Sequence, residues 1–168
     1  MSLVIYGDPH GDWQPLLEAV ALDRPAAIVI LGDCDLGRPL HVELAPVFAA
    51  GVEVAYLYGN HEKDLPGFWD NLVGDHPGGL PLRQRDSIFP EDFRALVGKR
   101  ADILVAHEAP STHQHGFAAL DDLARALRVR LVVHGHHHTS LTGVTADGIA
   151  VIGLGKAEVL RLSAGNLP

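Results

Sequence analysis

The chain opens on Leu3-Val4-Ile5-Tyr6-Gly7-Asp8-Pro9-His10-Gly11-Asp12, an apolar run broken by glycine and followed at once by acidic and imidazole side chains. A run this short, with β-branched and aromatic residues and a glycine at its end, reads as a buried strand. The polar residues after it then stand at the strand's carboxyl end. The same pattern recurs downstream. The apolar runs Ala26 to Leu31, Val52 to Leu57, Ile103 to Ala106 and Leu131 to Val133 lead into Gly32-Asp33, Gly59-Asn60-His61-Glu62, His107 and His134-Gly135-His136-His137-His138 respectively.

Segments with helical spacing lie between these runs: Trp13 to Leu22, Leu40 to Ala50, Glu91 to Val97 and Phe117 to Leu127. The first follows Asp12, an N-cap residue type, and carries Pro15 in its early turn, where a missing N–H costs nothing. Alternation of strand and helix predicts an α/β chain with a largely parallel core. The end of the chain differs. Leu141 to Ala146 and Ile149 to Ile152 flank Asp147-Gly148, which suits a two-residue hairpin turn, and Ala157 to Leu162 adds a further strand, so an antiparallel end is expected. Residues 64 to 90 hold Pro66, Pro77, Pro81, Pro90 and Gly78-Gly79, and read as an irregular loop over the site carrying Phe68 and Trp69. Without repeats or low-complexity tracts, residues 1–168 are expected to form a single domain.

In open α/β sheets ligands bind beyond the carboxyl ends of parallel strands, so these clusters converge in space although they are distant in sequence. Asp8 to Asp33, Asp33 to Asn60, and His107 to His136 are each separated by close to one strand-helix-strand unit of roughly 30 residues. Gly7, Gly32, Gly59 and Gly135 directly precede Asp8, Asp33, Asn60 and His136, where a turn without a Cβ lets side chains approach a common point.

Composition narrows the chemistry. With 21 acidic and 13 basic residues the formal charge is −8, which argues against duplex nucleic acid or an anionic membrane as partner. An anionic substrate needs help from a cation. There are 11 histidines and one cysteine, so a metal site is built from nitrogen and oxygen ligands and a disulfide framework is excluded. No apolar run reaches the roughly 20 residues of a membrane span. Met1-Ser2 leads straight into the first strand without a charged leader, so the expected compartment is the cytoplasm, and the Arg-over-Lys and Ala/Leu/Val bias points to a bacterial source.

Taken in order, D-x-H, G-D, G-N-H-E, a lone histidine after a strand, and G-H-x-H resemble the signature of calcineurin-like metallophosphoesterases, here Asp8 to His138. The resemblance implies two mixed β-sheets in a sandwich flanked by helices. It also implies two divalent metal ions, one held by Asp8, His10 and His138, the other by Asn60, His107 and His136, with Asp33 bridging and His61 as the catalytic residue that is not a ligand. Manganese is expected first, with iron, zinc or nickel as alternatives, because an all-N/O set does not choose among them. Such a pair of cations, about 3.5 to 4 Å apart, clamps a phosphoryl oxygen and activates a bridging hydroxide, and a protonated His61 suits the leaving oxygen.

The substrate implied is a phosphate ester, and similarity to the small bacterial members favours a phosphodiester. A phosphomonoesterase resembling serine/threonine phosphatases is the alternative, since Gly7 to Asp12 looks like their G-D-x-H-G segment, but Tyr58 stands where those enzymes carry arginine before G-N-H-E. A non-catalytic interaction scaffold is the third reading; such relatives lose ligands or the histidine, and none is missing here. Glu62 and Asp35 are expected to orient ligand imidazoles. His113 and His115 read as a polar loop, His137 as either a bystander or part of the substrate rim, Arg83 and Arg85 as solvated cations, and Cys34 as a small buried residue.

Overall fold

A computed structural model describes residues 2–64, 66–73, 90–163 and 165–168. In the first sheet β1 (Ser2–Tyr6), β2 (Ala27–Ile30) and β3 (Glu53–Tyr56) run parallel, with Val4 opposite Ile28 and Ile28 opposite Val54. The crossovers carry α1 (Gln14–Asp23), then α2 (Leu40–Glu43) and α3 (Ala45–Ala49). In the second sheet β4 (Ile103–Ala106) and β5 (Leu131–His134) are parallel and linked by α6 (Ala118–Leu127), and the hairpin of β6 (Leu141–Val144) and β7 (Ala150–Gly153) lays β7 parallel to β5. The final strand β8 (Val159–Ser163) crosses back to pair antiparallel with β1. The orders are β3-β2-β1-β8 and β4-β5-β7-β6.

Successive strand residues point to opposite faces, and this alternation divides the core into three clusters. Val4, Tyr6, Ile28 and Ile30 meet Leu16 and Val20 of α1 and Leu40, Leu44 and Val47 around α2 and α3. The intervening Ile5 and Leu31 face Leu131 and Val133 across the space between the sheets. Leu104, Val132 and Val151 on the far side cover Leu123, Ala124 and Leu127. On α6 the buried Leu120, Leu123, Ala124 and Leu127 fall at i, i+3, i+4 and i+7, one stripe of a helix. Helix, sheet, sheet, helix is therefore the layering, and each fully buried Leu or Ile contributes about 1.5–3 kcal/mol of apolar transfer.

Three local expectations change. The helix foreseen from Leu40 to Ala50 breaks at Leu44, because Pro46 has no N–H for the carbonyl four residues back and instead sits in the first turn of α3. The turn at Asp147-Gly148 is longer than two residues. Thr145 N–H bonds Ile149 O at 2.9 Å, Gly148 N–H bonds Thr145 O at 3.0 Å, and Gly148 takes φ 82°. This is the three-residue hairpin with glycine in the left-handed position. Third, the segment 64–90 is not irregular throughout. Pro66–Val73 forms α4, fastened by Asn71 Nδ2 donating to Leu36 O at 2.7 Å and by the buried Leu72, and Pro90–Leu96 forms α5. Residues 65 and 74–89, with Arg83 and Arg85, and the Trp69 side chain lie outside the described residues. Among the described residues no helix is long and apolar enough to cross a membrane.

Candidate metal centre

Every motif residue singled out in the sequence arrives at one edge of the sandwich, beyond the carboxyl ends of β1, β2, β3, β4 and β5. Backbone hydrogen bonds stitch the strand-end loops together: His10 N–H to Asp33 O at 2.9 Å, Gly11 N–H to Cys34 O at 3.0 Å, and Gly135 N–H to His107 O at 3.1 Å. Six polar residues here adopt left-handed backbone angles: Asp8 (φ 29°), His10 (44°), Asp33 (50°), Asp35 (47°), His136 (70°) and His138 (51°). Non-glycine residues pay for such angles and keep them where surrounding structure holds them, as functional sites do.

Two glycines are required by space rather than by turn geometry. A Cβ on Gly59 would collide with Asp33 Oδ1 and the His107 ring, and one on Gly135 would collide with the Asp8 carboxylate. The site is packed to the backbone on both sides.

Hydrogen bonds assign the imidazole tautomers. His10 Nδ1 lies 2.7 Å from Asp35 Oδ2 and so carries the proton, leaving a lone pair on Nε2, which stands 2.8 Å from His138 Nε2 and 3.8 Å from Asp33 Oδ2. His107 Nδ1 donates to Leu31 O at 2.8 Å, leaving Nε2 bare at 3.1 Å from Asn60 Oδ1, 3.1 Å from His136 Nδ1 and 3.5 Å from Asp33 Oδ1. In the neutral ring this lone pair faces an amide oxygen and a carboxylate, a repulsion that a cation among them would relieve.

Asp33, 1% exposed, belongs to both groups: its Oδ2 faces His10 and its Oδ1 faces His107. His10, Asp33 and His138 form one set of ligand atoms within 4.8 Å of one another, and Asp33, His107 and His136 form a second. Asp8 is fully buried. Its Oδ2 accepts the His136 N–H at 2.6 Å and lies 3.8 Å from His138 Nε2, while its Oδ1 has no hydrogen-bond partner. Burial first, and then the charge of Asp33, push the Asp8 carboxyl up to about 8, opposed by the His136 N–H. A divalent cation removes both penalties, and the N/O donor set suits one. The orphaned oxygen and the opposed lone pairs therefore fit metal.

His61, expected to act without binding metal, is half-buried beside this centre. Its Nδ1 is 3.2 Å from Asp35 Oδ1, and its ring meets His10 edge-on at 4.6 Å. His10, Asp35 and His61 also satisfy the spacing of a metal group. Here, however, both Nδ1 atoms already face the Asp35 carboxylate, whose two oxygens accept one N–H each. Asp35 thus orients imidazoles as expected, and Glu62 does not. Glu62 is buried and accepts backbone N–H groups from Cys34 (2.6 Å), Gly59 (2.5 Å) and Asp33 (3.3 Å), tying the loops after β2 and β3 together. Cys34 is buried, as read from the sequence.

The sequence leaves His113 and His115 outside the site and His137 as bystander or substrate rim, yet the rings meet: His113 stacks on His137 with centroids 3.6 Å apart and planes at 19°, and His137 stands edge-on to His136 at 4.8 Å. Only an H-x-H spacing after His107 hinted at this.

An α/β sandwich with an aspartate- and histidine-lined metal cleft at its strand ends is the class that fold and site define. The chain belongs to the calcineurin-like phosphoesterase family, whose model matches residues 1–140. An uncharacterized protein of Haemophilus influenzae (strain ATCC 51907 / DSM 11121 / KW20 / Rd) is 26% identical over 194 residues, covering 83% of this chain and 84% of that protein. Among solved structures, a dimetal phosphatase from Danio rerio superimposes with TM-score 0.62 at 14% identity, covering 94% of this chain and 88% of that one. A Thermus thermophilus protein gives TM-score 0.62 at 12% identity, with 96% and 98% covered. These distant structures share the fold. Family membership and the His/Asp groups together make this a metal-dependent phosphoesterase acting on a phosphate ester.

Proposed function

We propose that the protein is a phosphodiesterase that works with two divalent cations. Asp8, His10 and His138 would hold one, Asn60, His107 and His136 the other, and Asp33 both. The observation that carries this reading is the bare Nε2 of His107, set 3.1 Å from Asn60 Oδ1 and 3.5 Å from Asp33 Oδ1. When bound, the ions held by these residues would supply positive charge for the phosphoryl oxygens and would let a water act as the nucleophile near neutral pH, the proposed role of a bridging hydroxide. Manganese is the proposed metal.

The chain's own residues do the rest. Asp35 accepts from Nδ1 of His61, so in the doubly protonated ring the second N–H, on Nε2, would be the one given to the departing alkoxide. Asp35 also holds His10 at Nδ1, so one carboxylate sets the orientation of a metal-side imidazole and of the proposed acid. Glu62 fixes the peptides that carry Asp33 and Gly59. Tyr58, 43% exposed before Gly59-Asn60, occupies the place where a phosphate-gripping arginine would favour a monoester dianion, which supports the diester. We also propose a cytoplasmic enzyme of bacterial type.

Elemental analysis of the purified protein, with turnover of bis-p-nitrophenyl phosphate against p-nitrophenyl phosphate plus and minus Mn²⁺, tests this. Two equivalents of metal with diester turnover that Asp33→Ala abolishes are expected. Preference for the monoester would move the assignment to a phosphomonoesterase. Metal binding with no hydrolysis of either ester would favour a scaffold, and failure to bind Mn²⁺ would sink the proposal.

A further inference from the structure

The loop after β4, residues 108–117, is built more tightly than a solvated connection needs. Asp121, 8% exposed on α6, accepts both Ser111 N–H and Ser111 Oγ–H at 2.9 Å. Further along, His113 N–H bonds Pro110 O (3.1 Å), Gly116 N–H bonds His113 O (2.9 Å) and Phe117 N–H bonds Ala109 O (2.9 Å). A Cβ on Gly116 would collide with Pro110 O, so the loop closes on itself without room to spare. Fixing a surface loop in this way costs conformational entropy, and what it fixes is His113.

His113 is laid face to face on His137 at 3.6 Å, with His115 tilted beside it at 5.7 Å. His137 in turn abuts His136, whose Nδ1 belongs to the metal cleft. Face-to-face rings cannot aim their nitrogens at one ion, and no metal group among the described residues includes His113, His115 or His137. What the loop presents is a stacked pair of half-buried imidazoles, His113 on His137, beside the cleft. The backbone N–H of His115 points at His113 Nδ1 (3.3 Å), so the neutral His113 ring carries its proton on Nε2 as a hydrogen-bond donor. Flat rings with an edge donor suit a flat ring with edge acceptors.

We propose that the His113–His137 stack is a specificity wall that receives a planar heteroaromatic group on the non-leaving side of the phosphodiester, the ester group that stays on phosphorus. This rests on the phosphodiesterase reading above and adds the class of ester.

Thymidine 5′-(p-nitrophenyl) phosphate and methyl p-nitrophenyl phosphate share one leaving group and differ in the group the wall would meet. The Mn²⁺-loaded wild type should favour the thymidine ester at least tenfold in kcat/KM, mainly through KM. His113→Ala should bring that ratio close to one, and His113→Phe, which keeps a flat ring, should restore most of it. Circular dichroism of each variant separates loss of the wall from loss of the fold. A ratio near one in the wild type, or a preference that survives His113→Ala, overturns the wall while leaving the phosphodiesterase standing. Absence of turnover of both esters by metal-loaded protein overturns both.

Discussion

Asp35 Oδ1 stands 3.2 Å from His61 Nδ1, which makes the candidate acid a carboxylate-oriented imidazole rather than a free surface histidine. Loss of a positioned acid costs about 10²–10⁴-fold. His61→Ala should therefore lower kcat by that factor for an alkyl leaving group and by far less for p-nitrophenolate, which departs without a proton. Metal content by elemental analysis should stay unchanged. An equal loss for both leaving groups would show that His61 does something other than protonate.

Asp35→Asn leaves a single acceptor oxygen for two imidazoles and turns an amide NH₂ toward the other, since Oδ1 faces His61 Nδ1 and Oδ2 holds His10 Nδ1 at 2.7 Å. Outer partners of this kind are worth about 10–100-fold in metal affinity or activity. Titration of metal-free protein with Mn²⁺ should show weaker binding in Asp35→Asn by about that factor, whereas His61→Ala should leave it alone.

Glu62 is 1% exposed and accepts three backbone N–H groups, so Glu62→Gln turns an amide NH₂ toward a buried donor. Charged hydrogen bonds of this type contribute about 1.5–3 kcal/mol. Calorimetry should show Tm lower by about 3–12 °C, on a scale of about 2–4 °C for each kcal/mol. An unchanged Tm would mean that the two loops hold their places without it.

Asp8 makes metal-free stability depend on pH. Its carboxyl is pushed up to about 8 in the folded chain, so between about 4 and 8 the folded state holds a proton that the unfolded state has released. The resulting stability is present below the ordinary carboxylate range and is lost as pH rises through about 8. Metal-free Asp8→Asn lacks this dependence and should gain on the wild type steadily from pH 5 to pH 8 in urea unfolding. Added Mn²⁺ should reverse the order, because it binds the ionised carboxylate.

By itself the sequence determined the alternation of strands and helices, the strand-end position of each polar cluster, and through motif order the family. Those features are local: runs such as Leu3 to Tyr6 have the period of a buried strand, and a glycine before Asp8, Asp33, Asn60 or His136 marks a turn whatever lies elsewhere. The tertiary structure alone decided what depends on contacts between distant residues. It sent β8 back to β1 while β6 and β7 joined the other sheet, because strand pairing follows which face is left to bury, and a hairpin signal says nothing of its neighbour. It gave Glu62 three peptide partners from two loops instead of an imidazole, and brought His113 onto His137 across separate strand-end loops. Tautomers, and with them the lone pairs that define the cleft, were likewise settled by groups such as Leu31 O. A bare nitrogen is fixed by what its other nitrogen touches, and only the folded chain specifies that.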